Sequence, residues 1–98
     1  MEVEFEDERL ERLACDVSFD MGLERGVVKA FRMRVQYMVA SSDERAFINL
    51  NGWRFEKLKG DLAGMYSIRL NKQWRLIVKL ERRENGKVVV VVSICDYH

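Results

Sequence analysis

The sequence predicts an α+β fold in which N-terminal helices pack on one face of a mainly antiparallel β-sheet. Three observations carry this. Apolar residues recur at helical spacing from Asp7 to about Ala40, β-type runs follow Asn51-Gly52, and Asn85-Gly86 joins the last two of those runs. With 98 residues, a single domain over residues 1–98 is expected, because one hydrophobic core serves chains of about 100–150 residues.

Val3 and Phe5 alternate with glutamates and suit a short first strand. The first helix follows, with Leu10, Leu13, Ala14 and Val17 three or four residues apart and acidic residues at its start, where the helix dipole favours them. A second helix carries Val27, Val28, Phe31, Val35, Met38 and Val39, with Gly22 and Gly26 near the join. Ser41-Ser42 ends this helix or opens a short third one through Asp43 to Ala46. Four strands are then expected: Trp53 to Leu58, Met65 to Leu70, Gln73 to Glu81 and Lys87 to Cys95. Val88 to Val92 is too apolar on both faces for an exposed edge and belongs in the middle of the sheet.

Charged residues make up 34% of the chain, above the roughly one quarter usual in soluble proteins. The formal charge of +1 hides an asymmetry: residues 1–50 hold 7 basic and 11 acidic side chains, whereas residues 51–98 hold 10 and 5. A basic sheet half can mark a surface for an anionic ligand, although each half also simply solvates itself. No run approaches the ~20 apolar residues of a membrane span, and the acidic stretch Met1 to Glu8 is unlike a signal peptide. A cytoplasmic protein without a membrane partner is expected. Cys15 and Cys95 then read as reduced thiols buried as small hydrophobes. One histidine and no close cysteine pair argue against a zinc site, and no metal or cofactor is expected.

Strand alternation points to where chemistry sits. Trp74, Leu76, Val78 and Leu80 share one face of their strand, leaving Arg75 and Lys79 with Ile77 on the other. In the preceding strand Ile68 and Leu70 oppose Ser67, Arg69 and Asn71. Arg69, Arg75 and Lys79 are therefore expected opposite the helices, with Lys57 and Lys59 sharing parity just before the Gly60-Asp61 turn. Such cations suit phosphate, which arginine binds through two parallel hydrogen bonds. Asp96-Tyr97-His98 carries the only histidine, directly after the central strand. Histidine exchanges protons near neutral pH. RNA cleavage needs such groups: a base at the 2′-hydroxyl, cations around the phosphorane and an acid at the leaving oxygen. Tyr66 and Trp74 read as core, and Phe31, Met33, Tyr37 and Met38 as packing against the sheet or as a partner surface.

The ordered set Leu58-Lys59-Gly60-Asp61-Leu62, Gly64, Ser67-Ile68, Asn71, Gln73-Trp74-Arg75-Leu76 and Asp96-Tyr97-His98 resembles the HigB toxins of bacterial toxin–antitoxin systems, within the RelE/ParE superfamily. The resemblance covers residues 52–98 most strongly. It implies a RelE-like fold and a ribosome-dependent endoribonuclease that cuts translated mRNA in the A site. It also implies a helix-turn-helix antitoxin of the HigA type as partner, with operator DNA bound indirectly through it. By position, Lys59 and Arg75 would stabilise the phosphate, and Asp96, Tyr97 and His98 would form the catalytic cluster, His98 serving as general acid. Lys57, Arg69 and Lys79 would contact RNA. Where some members have His-Pro-Leu-Lys-Gly-Asp, this chain has Glu56-Lys57 before Leu58, so a histidine pair is absent and Glu56 is the candidate general base. Its other reading is a strand carboxylate paired with Lys57 or Arg54. A gyrase poison of the ParE type and a noncatalytic antitoxin-binding module are the alternatives within the resemblance.

Overall fold

Helical spacing and strand alternation deliver their apolar side chains to a single interface between two helices and a five-stranded sheet. The computed structural model describes residues 1–96. Strand β1 (Glu2–Phe5) leads into helices α1 (Glu8–Cys15) and α2 (Arg25–Ala40). Strands β2 (Glu56–Lys57), β3 (Met65–Arg69), β4 (Trp74–Arg83) and β5 (Gly86–Asp96) follow. Asp7 starts α1 by accepting a 2.7 Å hydrogen bond from the Arg9 amide, a cap of about 1 kcal/mol. Leu10 and Leu13 from α1 and Val27, Val28, Phe31, Val35 and Met38 from α2 enter the core. They meet Ile68, Leu76, Val78, Val89 and Val91 from the sheet.

The spatial order is β1-β5-β4-β3-β2, antiparallel throughout except for the parallel β1–β5 pair. That placement gives β5 neighbours on both sides, as its valine run predicts. The β4–β5 hairpin turns at Asn85-Gly86, where Gly86 takes φ +118°, a conformation that glycine adopts without a Cβ penalty. A bulge interrupts this ladder: Ile77 faces Ser93 whereas Val78 faces Val91. The extra residue lets Val91 and Ile94, three apart, both reach the helical core. It also sets Cys95 beside Arg75 and Asp96 beside Trp74.

Two expectations are corrected and a third is made specific. The run from Trp53 to Leu58 is not one strand: its ladder is confined to Glu56–Lys57, and Trp53 closes a 3₁₀ turn over Asn51–Trp53. The reason is burial, since Trp53 inserts between Tyr37 and Phe47 at ring-centroid distances of 5.3 and 5.4 Å. Cys15 is exposed, ending α1 on its outer side, and Cys95 is half-buried. The third helix is one 3₁₀ turn, Glu44–Ala46, capped by Asp43 and tied to β5 by the Glu44–Lys87 ion pair.

Phe31 is fully buried where α2 meets the sheet. Phe31→Ala is expected to destabilise the chain by about 3–5 kcal/mol, through lost burial and a residual cavity, read as a lower urea midpoint at unchanged slope. No helix among the described residues is long and apolar enough to cross a membrane.

Candidate active site

The sheet face away from the helices carries two adjacent cross-strand rows. Arg69, Arg75 and Cys95 form one, on β3, β4 and β5. Glu56, Ser67, Ile77 and Ser93 form the next, from β2 to β5. Directly opposed side chains share a face, so Glu56 stands on the same side as both arginines. Arg69 and Arg75 stand directly opposite each other across the β3–β4 ladder, which concentrates positive charge at this end of the sheet.

Arg75 lies on the expected face but not in the expected state. It is 6% exposed. Its Nη2 donates to the Arg54 carbonyl at 2.8 Å and to Ser67 Oγ at 2.7 Å, with the Ser67 carbonyl at 3.4 Å. The side chain thus runs flat across β3 to the segment before β2 and braces it. Arg54 adopts the left-handed region at φ 44° and ψ 54°, a conformation that costs a non-glycine residue about 1–3 kcal/mol unless its surroundings hold it. Arg75 is part of that hold. Ser67, fully buried, is placed by sequence reasoning on the face of Arg69 and in the family motif but given no role; its signal is a small polar side chain in the middle of an apolar strand.

Arg69 is half-buried. Its Nε donates to the Asn71 carbonyl, and its own carbonyl accepts from the Arg34 guanidinium at 3.1 Å. Burial pushes the Arg34 pKa down, and its guanidinium lies 5.3 Å from the Trp53 ring centroid. One helix arginine thereby fixes the end of β3 from behind. The β3–β4 turn is shaped by Asn71, whose Oδ1 accepts from the Gln73 and Trp74 amides at 2.8 and 2.7 Å. Gln73 Nε2 then donates to Asp96 Oδ2 at 2.9 Å, holding the end of β5 against this turn. Tyr97 and His98 lie outside the described residues.

The remaining candidates are spread out. Glu56 is exposed and makes no ion pair with Lys57 or Arg54 among the described residues. Lys57 pairs with Tyr66, whose other neighbour is Val78, so its strand parity belongs to the helical face and not to the arginine row. The exposed Lys59 precedes the 3₁₀ turn Gly60–Leu62. The Leu58 amide bonds to the Met65 carbonyl, which brings this turn alongside the Met65–Lys79 row. That row is four residues from Arg75 along β4, ~13 Å at strand rise. Lys79 shares the open face but pairs with Glu6 at 2.6 Å, which raises its pKa. A single basic patch of Lys57, Arg69, Arg75 and Lys79 is therefore corrected to an arginine row at one end and a flanking lysine turn. Glu4, Glu6, Lys79, Glu81 and Arg83 knit the other end of the face into an ion-pair network.

Cys95 completes the arginine row. Burial pushes its thiol pKa up, with the Arg75 charge pulling the other way, so it is a neutral neighbour of the site. Trp53, Phe55 and Tyr66 are engaged with one another and with Phe47 on the helical side and offer no stacking platform here. Among the described residues no three His, Cys, Asp or Glu side chains group as metal ligands.

Comparison with known proteins shows the family and the fold. Residues 3–98 match the family model for the HigB-like toxin, a RelE-like toxin of the type II toxin–antitoxin system HigB. Toxin HigB-1 of Vibrio cholerae is 35% identical over 77 residues, covering 79% of this chain and 81% of that protein. Among solved structures, the YoeB–YefM complex from Staphylococcus aureus superposes with a TM-score of 0.62 at 21% identity, over 100% of this chain and 97% of that one. YafQ from E. coli does so at 0.63 and 12% identity, over 97% and 91%. The YoeB/ParE toxin from Agrobacterium tumefaciens gives 0.61 at 15% identity, over the whole of both chains. These likenesses carry the fold.

Proposed function

The chain belongs to the HigB-like family of RelE-like toxins of type II toxin–antitoxin systems, and on that premise we propose that it is an endoribonuclease that cuts translated mRNA in the ribosomal A site. The observation that carries the proposal is the Arg69–Arg75 row on the sheet face away from the helices, with the exposed Glu56 on its flank and the β5 end that leads to Tyr97 and His98 beside it. An RNA phosphate at this row meets the half-buried Arg69 directly, while the buried Arg75 adds its charge from beneath, held in advance by Ser67 and the Arg54 carbonyl. Charge aimed in advance at the developing phosphorane is the largest kind of catalytic contribution.

In this reading Glu56 takes the proton from the 2′-hydroxyl, whose oxygen attacks the adjacent phosphorus. His98 gives a proton to the departing 5′-oxygen, which leaves a 2′,3′-cyclic phosphate and a 5′-hydroxyl. Asp96, held by Gln73, and Tyr97 orient the reacting groups, and Lys59 extends the positive field along the strand. A near-neutral chain lacks the phosphate-driven affinity of a strongly basic protein for any RNA, in keeping with a substrate presented by the ribosome. The partner is a helix-turn-helix antitoxin, through which the pair reaches operator DNA.

Expression of the chain without its antitoxin is expected to arrest growth, and mapping of mRNA 5′ ends should place the breaks within translated frames. Equal cleavage of free RNA would remove the ribosome from the mechanism. A DNA-damage response with intact mRNA would replace the nuclease with a gyrase poison.

A further inference from the structure

On the helical layer, across the sheet from the arginine row, a groove of about 560 Å³ runs between α2 and the loop of residues 16–24. Phe19, Leu23 and Val28 form its apolar lining, and Val17 and Met33 stand at its edges. Val17 is 87% exposed and Met33 55% exposed. An isolated exposed apolar side chain needs no explanation, but two flanking an apolar groove form a contiguous patch of the kind that marks interaction sites.

The groove is built, not loose. Arg32 donates from Nε to the Leu13 carbonyl and from Nη2 to the Asp16 and Phe19 carbonyls, each at 2.9 Å, pinning the loop to α2. Arg12 lies 4.2 Å from the Phe19 ring centroid, and Asp16 accepts from both Ser18 amide and hydroxyl. A wall held in this way saves a ligand the cost of ordering it. Its charge is also out of place. The helical half is net acidic, yet Arg25, Lys29 and Arg32 border the groove against the single carboxylate of Asp20 among the described residues. The exposed Asp20 carboxylate accepts from the Gly22 amide at 2.8 Å. Arg25 and Lys29 are exposed and in no ion pair among the described residues.

We propose that this groove is where the antitoxin docks, receiving a segment with one or two large apolar side chains flanked by Asp or Glu. The apolar side chains fill the slot between Phe19 and Val28, and the carboxylates meet Arg25 and Lys29. The partner's identity rests on the toxin reading above; its chemistry is set by the groove.

The test uses the full chain and a helix-turn-helix antitoxin shown to neutralise it. Four variants are compared with the wild type: Met33→Glu, Val17→Asp, the double charge reversal Arg25→Glu/Lys29→Glu, and Val39→Asp, a 54% exposed α2 position outside the groove. The first three are expected to weaken antitoxin binding about tenfold or more, as loss of central interface contacts does, and to arrest growth while escaping neutralisation. Val39→Asp binds as the wild type. Affinities of the groove variants within about twofold of the wild type would overturn the proposal. So would a homodimer of the chain alone that Met33→Glu dissociates, since the groove would then be occupied by a second copy. A wild type that binds the antitoxin but cuts no mRNA overturns the nuclease reading, while the affinities still decide the groove.

Discussion

Replacing His98 by alanine is expected to slow mRNA cleavage on translating ribosomes by about 10²–10⁴-fold, the range contributed by a positioned general acid or base. Both proteins are compared at a temperature below their unfolding midpoints, so that a loss of rate reads chemistry and not unfolding. The pH profile separates a catalytic role from a merely structural one. A histidine acid must be protonated, so the wild-type rate falls as pH rises and the imidazolium is lost, whereas the alanine variant loses that limb. Full cleavage by folded His98→Ala protein, with the limb retained, would exclude His98 as the acid.

Arg75→Met is expected to fail in two separable ways. It keeps most of the side-chain volume but removes the donor that holds Ser67 Oγ and the Arg54 carbonyl. At about 1.5 kcal/mol for each bond from a charged donor, the loss of stability is about 3 kcal/mol. Cleavage should fall further than the unfolded fraction explains, because a guanidinium charge beneath the phosphate is also gone. Ser67→Ala supplies the comparison. It removes one brace bond and leaves the charge, so it should cost about 1.5 kcal/mol of stability with a smaller loss of activity. Chemical denaturation and cleavage assays at a temperature where all three proteins are folded distinguish the two effects. Equal activity losses in Ser67→Ala and Arg75→Met would mean that Arg75 acts only as a brace.

Much of this was legible beforehand because it is local. The helices follow from three- and four-residue spacing, the hairpin from Asn85-Gly86, and the interior place of β5, one strand in from the edge, from valines too apolar for an exposed edge. The resemblance carried by Lys59 to Leu62, Gln73 to Leu76 and the final residues agrees with the family match over residues 3–98. Alternation also placed Arg69, Arg75 and Lys79 on the correct face. It could not say what covers each of them. Parity is a property of one strand, whereas burial of Arg75 depends on Ser67 and Arg54 arriving from other segments, and the Lys79–Glu6 pair depends on the end of β1 arriving from the far end of the chain.

The sequence by itself determined the kinds of element, their order, the apolar face of each and the family to which the chain belongs, since each is written in near-neighbour spacing or in an ordered motif. Only the tertiary structure decided that β1 pairs parallel to β5, that Trp53 leaves the sheet for the core, that Lys57 parts from the arginine row, and that Arg75 is a buried brace. These outcomes depend on which distant segments meet. Long-range contact is selected by the total burial and hydrogen bonding of the whole fold, which no single stretch of the chain encodes.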